Sequence, residues 1–184
     1  RNLILIAVIG AFAIAICVGV GAFRGILDTA PDVSNIDVTP TGFSTFVYAS
    51  EGNQTAKLVS TDSNRIPVTF DQIPVNLQHA FVAIEDERFY DHRGIDIQGI
   101  IRAGIRGLST GNFDQGASTI TQQLIKNNVF TGWTSETFSE AVRRKIQEQY
   151  LAVEVEKTMS KDDILLNYLN TINLGHNTLG VQAA

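Results

Sequence analysis

One cysteine, Cys17, is all the chain holds, so no internal disulfide can form and neither an oxidising nor a reducing compartment is implied. Basic residues are in the minority: 14 Lys and Arg against 19 Asp and Glu leave a net charge of −5. No dominant basic patch exists, which argues against a nucleic-acid partner. The few histidines and the cysteine show none of the spacings of a zinc site. Internal repeats and low-complexity segments are absent. From Leu3 to Phe23 charge is missing altogether, and an apolar run of that length spans the hydrocarbon core as a helix. A secretory signal peptide is the competing reading, but the run is too long and no small-x-small cleavage site follows it. Arg1 and Arg24 flank the run evenly, so they do not orient it. A chain that starts at Arg1 rather than Met is expected to be a piece of a longer protein.

The organisation that follows is a membrane anchor over 1–24, a linker with a β-hairpin over 25–64, and a mainly α domain over 65–184. Residues 24–42 are rich in Pro, Asp, Ser and Thr and read as a linker. The runs 44–50 and 56–60 are strand-like around Glu51-Gly52-Asn53. From Pro74 onward the apolar spacing is helical, with Val75, Leu77, Phe81, Ile84 and Phe89 on one stripe. Further helices are expected over 95–108, from a cap at Ser118 or Thr119 to Val129, from Ser135 to about Met159, and from the Ser160–Asp163 capping box to Asn170. A polar loop at 109–112 is expected to close the helix over 95–108.

Three clusters carry chemistry. Glu85 stands between Phe81 and Phe89 at helical spacing, and a carboxylate flanked by two such rings loses water, which raises its pKa and makes it a usable base. The alternative is an ordinary surface glutamate. The run Gly116–Gln123, with Lys126 one turn on, offers a flexible turn, a helix start and neutral donors suited to a diphosphate and sugar hydroxyls. An N-cap followed by a polar helix face is the plainer alternative. Arg143, Arg144, Lys145 and Glu148 form a basic cluster that can hold a diphosphate leaving group, although Glu140 four residues before Arg144 also fits a simple helix pair. His79 and His176 read as isolated surface or loop residues, and His92 as a residue fixing the turn after Glu85. Asp86, Glu87 and Asp91 read as a solvated acidic helix end rather than a cation site.

These residues, in order and spacing, resemble glycosyltransferase family 51, the peptidoglycan glycosyltransferases of class A penicillin-binding proteins and monofunctional transglycosylases. The motif E-D-x-x-F-x-x-H-x-G is met by Glu85, Asp86, Phe89, His92 and Gly94. G-G-S-T-I-T-Q-Q is met over 116–123, with Ala117 in place of the second glycine, and R-K-x-x-E by Arg144, Lys145 and Glu148. K-x-x-I-L-x-x-Y-L-N is met by Lys161, Ile164, Leu165, Tyr168, Leu169 and Asn170, and a fifth motif begins at Gly180. The Ala117 methyl narrows the backbone approach to a ligand. Family domains run past the fifth motif, so the domain is expected to be C-terminally incomplete here.

The resemblance implies a lysozyme-like helical fold behind a single membrane helix, in a bacterial membrane, with the catalytic domain on the extracytoplasmic side. It implies lipid II and the nascent glycan strand as substrates and undecaprenyl diphosphate as the leaving group. Glu85 becomes the general base and Glu148 a catalytic helper at the diphosphate, with Mg²⁺ or Mn²⁺ as an optional aid and no organic cofactor. Asp86, Phe89, His92, Gly116, Ser118, Thr119, Gln122, Gln123, Lys126, Arg144, Lys145 and Asn170 become the substrate-binding set. A fused or separate transpeptidase and other cell-wall synthesis proteins are the implied partners. The apolar end of the anchor, with Phe23, Ile26 and Leu27, is expected to seat the domain against the bilayer. A lysozyme-like hydrolase or lytic transglycosylase, and a non-catalytic lipid II-binding module, are the rival readings.

Overall fold

The computed structural model describes residues 2–60, 64–111, 116–130, 132–176 and 178–184. Arg1, a flank of the apolar run, and Asn112, in the expected polar loop, lie outside the described residues. Helix α1, Asn2–Leu27, is the apolar run. Within it Ile4–Leu27 has a mean hydropathy of 2.8 and no buried face, so it is long and apolar enough to cross a membrane. Its last turn leans on the helical domain. There the side-chain amide of Gln147 donates to Ile26 O at 2.9 Å and to Thr29 Oγ1 at 3.1 Å.

Strands β1, Thr45–Tyr48, and β2, Gln54–Leu58, pair antiparallel as a hairpin, with an irregularity between Val47 and Tyr48. They are exposed on nearly all sides, so the hairpin lies outside the core. Five helices make the rest: α2 Val75–Glu85, α3 Ile97–Thr110, α4 Ile120–Val129, α5 Phe138–Thr158 and α6 Lys161–Thr171. The core forms around α4, which packs against both α5 and α6. Ile120, Leu124, Leu151, Ile164, Leu165 and Leu169 are fully buried there, each contributing about 1.5–3 kcal/mol of burial.

The helix starts follow cap chemistry. Asp96 accepts from Gly99 N at 3.0 Å and so starts α3 two residues later than its apolar pattern suggests. Thr119 caps α4 and Ser160 caps α6. The fourth expected helix begins at Thr137 rather than Ser135. Thr137 and Glu140 form a capping box there, which takes Glu140 away from the Arg144 pairing expected of it. Helix α3 packs only partly: Ile97, Ile101, Ile105 and Leu108 stay exposed along one face.

Candidate active site

Helix α2 ends at Glu85 because Asp86, at φ −159° and ψ 72°, leaves helical geometry. Its buried carboxylate is already engaged. It accepts from Ile120 N at 3.0 Å, and both its oxygens lie 2.9 Å from His92 Nε2. His92 thus fixes the turn, and Asp86 ties the end of α2 to the start of α4. Two expectations are corrected here. The helix stops before Phe89, so the ridge of Phe81, Glu85 and Phe89 does not exist: Phe89 is fully buried in the core, while Glu85 is exposed. The water-starved setting expected for Glu85 is therefore absent. The anion-attracting start of α4 is also partly filled by the protein's own carboxylate at Asp86, with Gln122 N taken by Thr119 Oγ1 at 3.2 Å.

Glu85 is held instead by hydrogen bonds across the cleft. Gln123 Nε2 donates to Glu85 Oε2 at 3.0 Å, and Tyr168 OH donates to Gln123 Oε1 at 3.2 Å. Burial, then the Glu85 charge, pushes the Tyr168 pKa above its usual value, so the phenol stays a donor. With its oxygen so oriented, Gln123 presents its amide N–H₂ to Glu85.

Around α4 the side chains of Thr119, Thr121 and Gln122 are buried and partnered rather than spread on a wet face. Thr119 Oγ1 and Gln122 Nε2 both donate to Gly94 O, at 2.8 and 3.0 Å. Gly94 has φ +84°, and a Cβ there would meet Ala152 C at 2.5 Å, so only glycine fits this crossing over α5. Asn170, at 6 % exposure, exchanges two hydrogen bonds with the backbone of Val68, at 3.0 and 2.9 Å. Its amide thus fastens the segment before α2 to α6. Gly116 lies at the open rim of the cleft, with nothing near its Cβ direction.

The cationic cluster sits on α5 and α4. Lys145 Nζ donates to Ser118 Oγ at 2.7 Å, Gln122 Oε1 at 3.0 Å and Glu148 Oε2 at 3.1 Å, which uses all three of its protons. Arg144 pairs with Glu148, whose side chain is 1 % exposed, and with Glu136. The Glu136 hydrogen bond raises the Arg144 pKa, and the same bond holds Glu136 below its usual value. Lys126 differs: burial lowers its pKa, and among the described residues it makes no ion pair and no side-chain hydrogen bond. Its ammonium lies 4.4 Å from the Trp133 ring centroid.

Glu85, Asp86, Ser118, Gln123 and Lys126 line a cleft of about 430 Å³. Ser118, Gln123 and Lys126 also line an adjoining cavity of about 220 Å³ with Trp133, Arg144 and Lys145. An exposed carboxylate on one side and a cationic pocket on the other are joined by shared walls. Phe89, His92 and Asn170, from the expected set, lie outside both cavities.

Sequence reasoning missed Tyr168 as a partner of Gln123, and Trp133 and Glu136 as neighbours of the cations. Tyr168 stood in a recognised motif. Trp133 and Glu136 fall in a short 3₁₀ turn, Trp133–Ser135 and its end, where no periodicity marks a position. Both Glu148 oxygens face cations and the Asp86 carboxylate accepts from Ile120 N and contacts His92, so neither of these two is free to hold a divalent metal. No group of three His, Cys, Asp or Glu able to hold a metal occurs among the described residues.

Comparison with known proteins gives a family match. The model described as Transglycosylase matches residues 51–184. The chain is 47 % identical over 163 residues to penicillin-binding protein 1A of Clostridium perfringens strain 13, covering 86 % of this chain and 23 % of that protein. It is 42 % identical over 171 residues to penicillin-binding protein 1A of Clostridium botulinum strain Langeland, covering 89 % and 20 %. It is 41 % identical over 164 residues to penicillin-binding protein 1A of Escherichia coli strain K12, covering 89 % and 18 %. The chain thus spans about a fifth of the length of these relatives.

Proposed function

Since the chain belongs to the transglycosylase family, glycosyltransferase family 51, we propose that it carries the peptidoglycan glycosyltransferase activity that polymerises lipid II into glycan strands. The observation that carries the reading is the pair of adjoining cavities sharing Ser118, Gln123 and Lys126, one lined by the Glu85 carboxylate and the other by Arg144 and Lys145.

In this reading the 4-hydroxyl oxygen of the acceptor N-acetylglucosamine attacks the anomeric carbon of the lipid-linked donor chain. Its proton passes to Glu85, and the bond from that carbon to the phosphate oxygen breaks with its electron pair. Configuration inverts from α to β, and undecaprenyl diphosphate departs. An exposed glutamate serves as base once the acceptor covers it, because the sugar then displaces the water around the carboxylate. Gln123, held by Tyr168, fixes the carboxylate. The cationic pocket steadies the charge that grows on the leaving diphosphate. Glu148 acts by orienting Arg144 and Lys145.

Helix α1 then crosses the bacterial cytoplasmic membrane once and holds the domain at its outer surface. The exposed apolar face of α3 supports a cleft that meets a lipid-linked substrate at the bilayer. A transpeptidase carried in the same polypeptide fits the much longer relatives. Incubation of the protein with labelled lipid II tests the activity. Glycan polymer is expected, and Glu85→Gln should abolish it while lipid II binding persists. Cleavage of preformed glycan without polymer would point to a hydrolase instead, and undiminished polymer from Glu85→Gln would end the assignment of the base.

A further inference from the structure

We infer that Trp133 is a positioning residue of the anion pocket, its indole holding the Lys126 ammonium ready for the leaving diphosphate. The inference rests on the reading of that pocket as the diphosphate site. Trp133 opens the 3₁₀ turn that follows Gly132, which has φ 70°. The ring lies 4.4 Å from Lys126 Nζ, and Trp133, Lys126, Arg144 and Lys145 line the same cavity of about 220 Å³.

The other cations of the pocket are already neutralised. Arg144 lies between Glu136 and Glu148, and Lys145 shares Glu148. Lys126 is repelled by Arg144 and Lys145 and attracted from a distance by Glu148 and Glu85, but no carboxylate reaches it. A carboxylate partner would have to be torn away by an incoming diphosphate. An aromatic face attracts a cation without cancelling its charge and leaves the N–H donors that point away from the ring free for an anion. The indole also limits the wandering of a four-carbon stem, so less rotamer freedom is lost when an anion binds. Lys126 is thus kept in place and still fully available.

Inorganic pyrophosphate titrated calorimetrically into the detergent-solubilised protein reads this directly. Trp133→Leu keeps an apolar filler but removes the π face, and should weaken pyrophosphate binding roughly 3- to 30-fold. Trp133→Phe restores a face and should recover most of that loss. In a Lys126→Met background Trp133→Leu should change nothing further, the mark of a shared interaction. Trp133 is also the one tryptophan of the chain. Its emission should therefore change on adding pyrophosphate to the unsubstituted protein and stay constant in Lys126→Met, a readout that needs no folded Trp133→Leu. The inference is overturned if the unsubstituted protein binds no pyrophosphate, or if Phe is no better than Leu. It is equally overturned if the Leu effect persists in full without Lys126, or if the emission responds alike with and without it. Coupled pyrophosphate binding in a protein that never polymerises lipid II would remove the glycosyltransferase reading and leave the Trp133–Lys126 pair standing.

Discussion

Alanine at Gly94 should destabilise the protein well beyond alanine at Gly52, and the two glycines make a matched comparison. Both have positive φ, +84° and +82°. An L-residue in that region costs about 1–2 kcal/mol. Gly52, in the hairpin turn, has nothing within 4 Å of its Cβ direction, so strain is all that substitution adds there. At Gly94 the new carbon would meet Ala152 C, Ala152 O and Val153 N at 2.5, 2.6 and 2.8 Å. Those are backbone atoms of α5, which cannot rotate away, and overpacking of this kind costs about 1–3 kcal/mol. The displaced Gly94 carbonyl would also weaken its bonds from Thr119 and Gln122, at about 0.5–1.5 kcal/mol each. Gly94→Ala should thus exceed Gly52→Ala by about 2 kcal/mol or more, which for a chain of this size lowers Tm by a further ~4–8 °C. Thermal unfolding of both variants in detergent, followed by circular dichroism, measures the difference. Equal melting temperatures would refute the close crossing over α5, and with it the account of how the start of α4 is held.

Tyr168→Phe keeps the buried ring and removes only the hydroxyl on Gln123, so kcat for lipid II polymerisation should fall about 3- to 10-fold with KM little changed. An unchanged kcat would remove Tyr168 from the positioning of Glu85. Glu136→Gln removes a competitor for the Arg144 guanidinium, and calorimetry should show pyrophosphate bound roughly 3- to 10-fold more tightly. Asp96 is held below its ordinary value of 3.8, first by the Arg88 hydrogen bond and further by Gly99 N. A carboxylate depressed in the folded state contributes stability above its unfolded pKa and loses it as pH falls through the folded one. Asp96→Asn should therefore lower Tm at neutral pH, with the difference shrinking as pH falls below 3.8 and through the depressed folded-state pKa.

Where a residue's own neighbours in sequence decide its conformation, the sequence sufficed. The apolar run of α1, the hairpin, and the caps at Thr119 and Ser160 follow from local chemistry, and all five domain helices were expected in order. What escaped was tertiary. Asp86 ends α2 because its carboxylate reaches across to Ile120 N and His92, and that long-range contact overrides the apolar spacing that carried the helix on to Phe89. Thr121 and Gln122 belong to the stretch whose plainer alternative reading was a polar helix face, yet both are buried because α5 and α6 pack against α4. The clustering of Glu85 with Lys126, Arg144 and Lys145 was legible through motif resemblance alone. Trp133 and Glu136 belong to a turn whose residues gain meaning only once folding brings α4 and α5 side by side.

Gln147 stands on α5 between Arg144 and Glu148, and its amide grips the foot of α1 at Ile26 and Thr29. The apolar rod, a candidate membrane span, and the rod bearing the pocket are thus spliced together. If α1 crosses a bilayer as proposed, any lean it adopts to match the bilayer's thickness is handed on to α5, and lipid chain length then joins the variables that set how high the pocket rides above the headgroups.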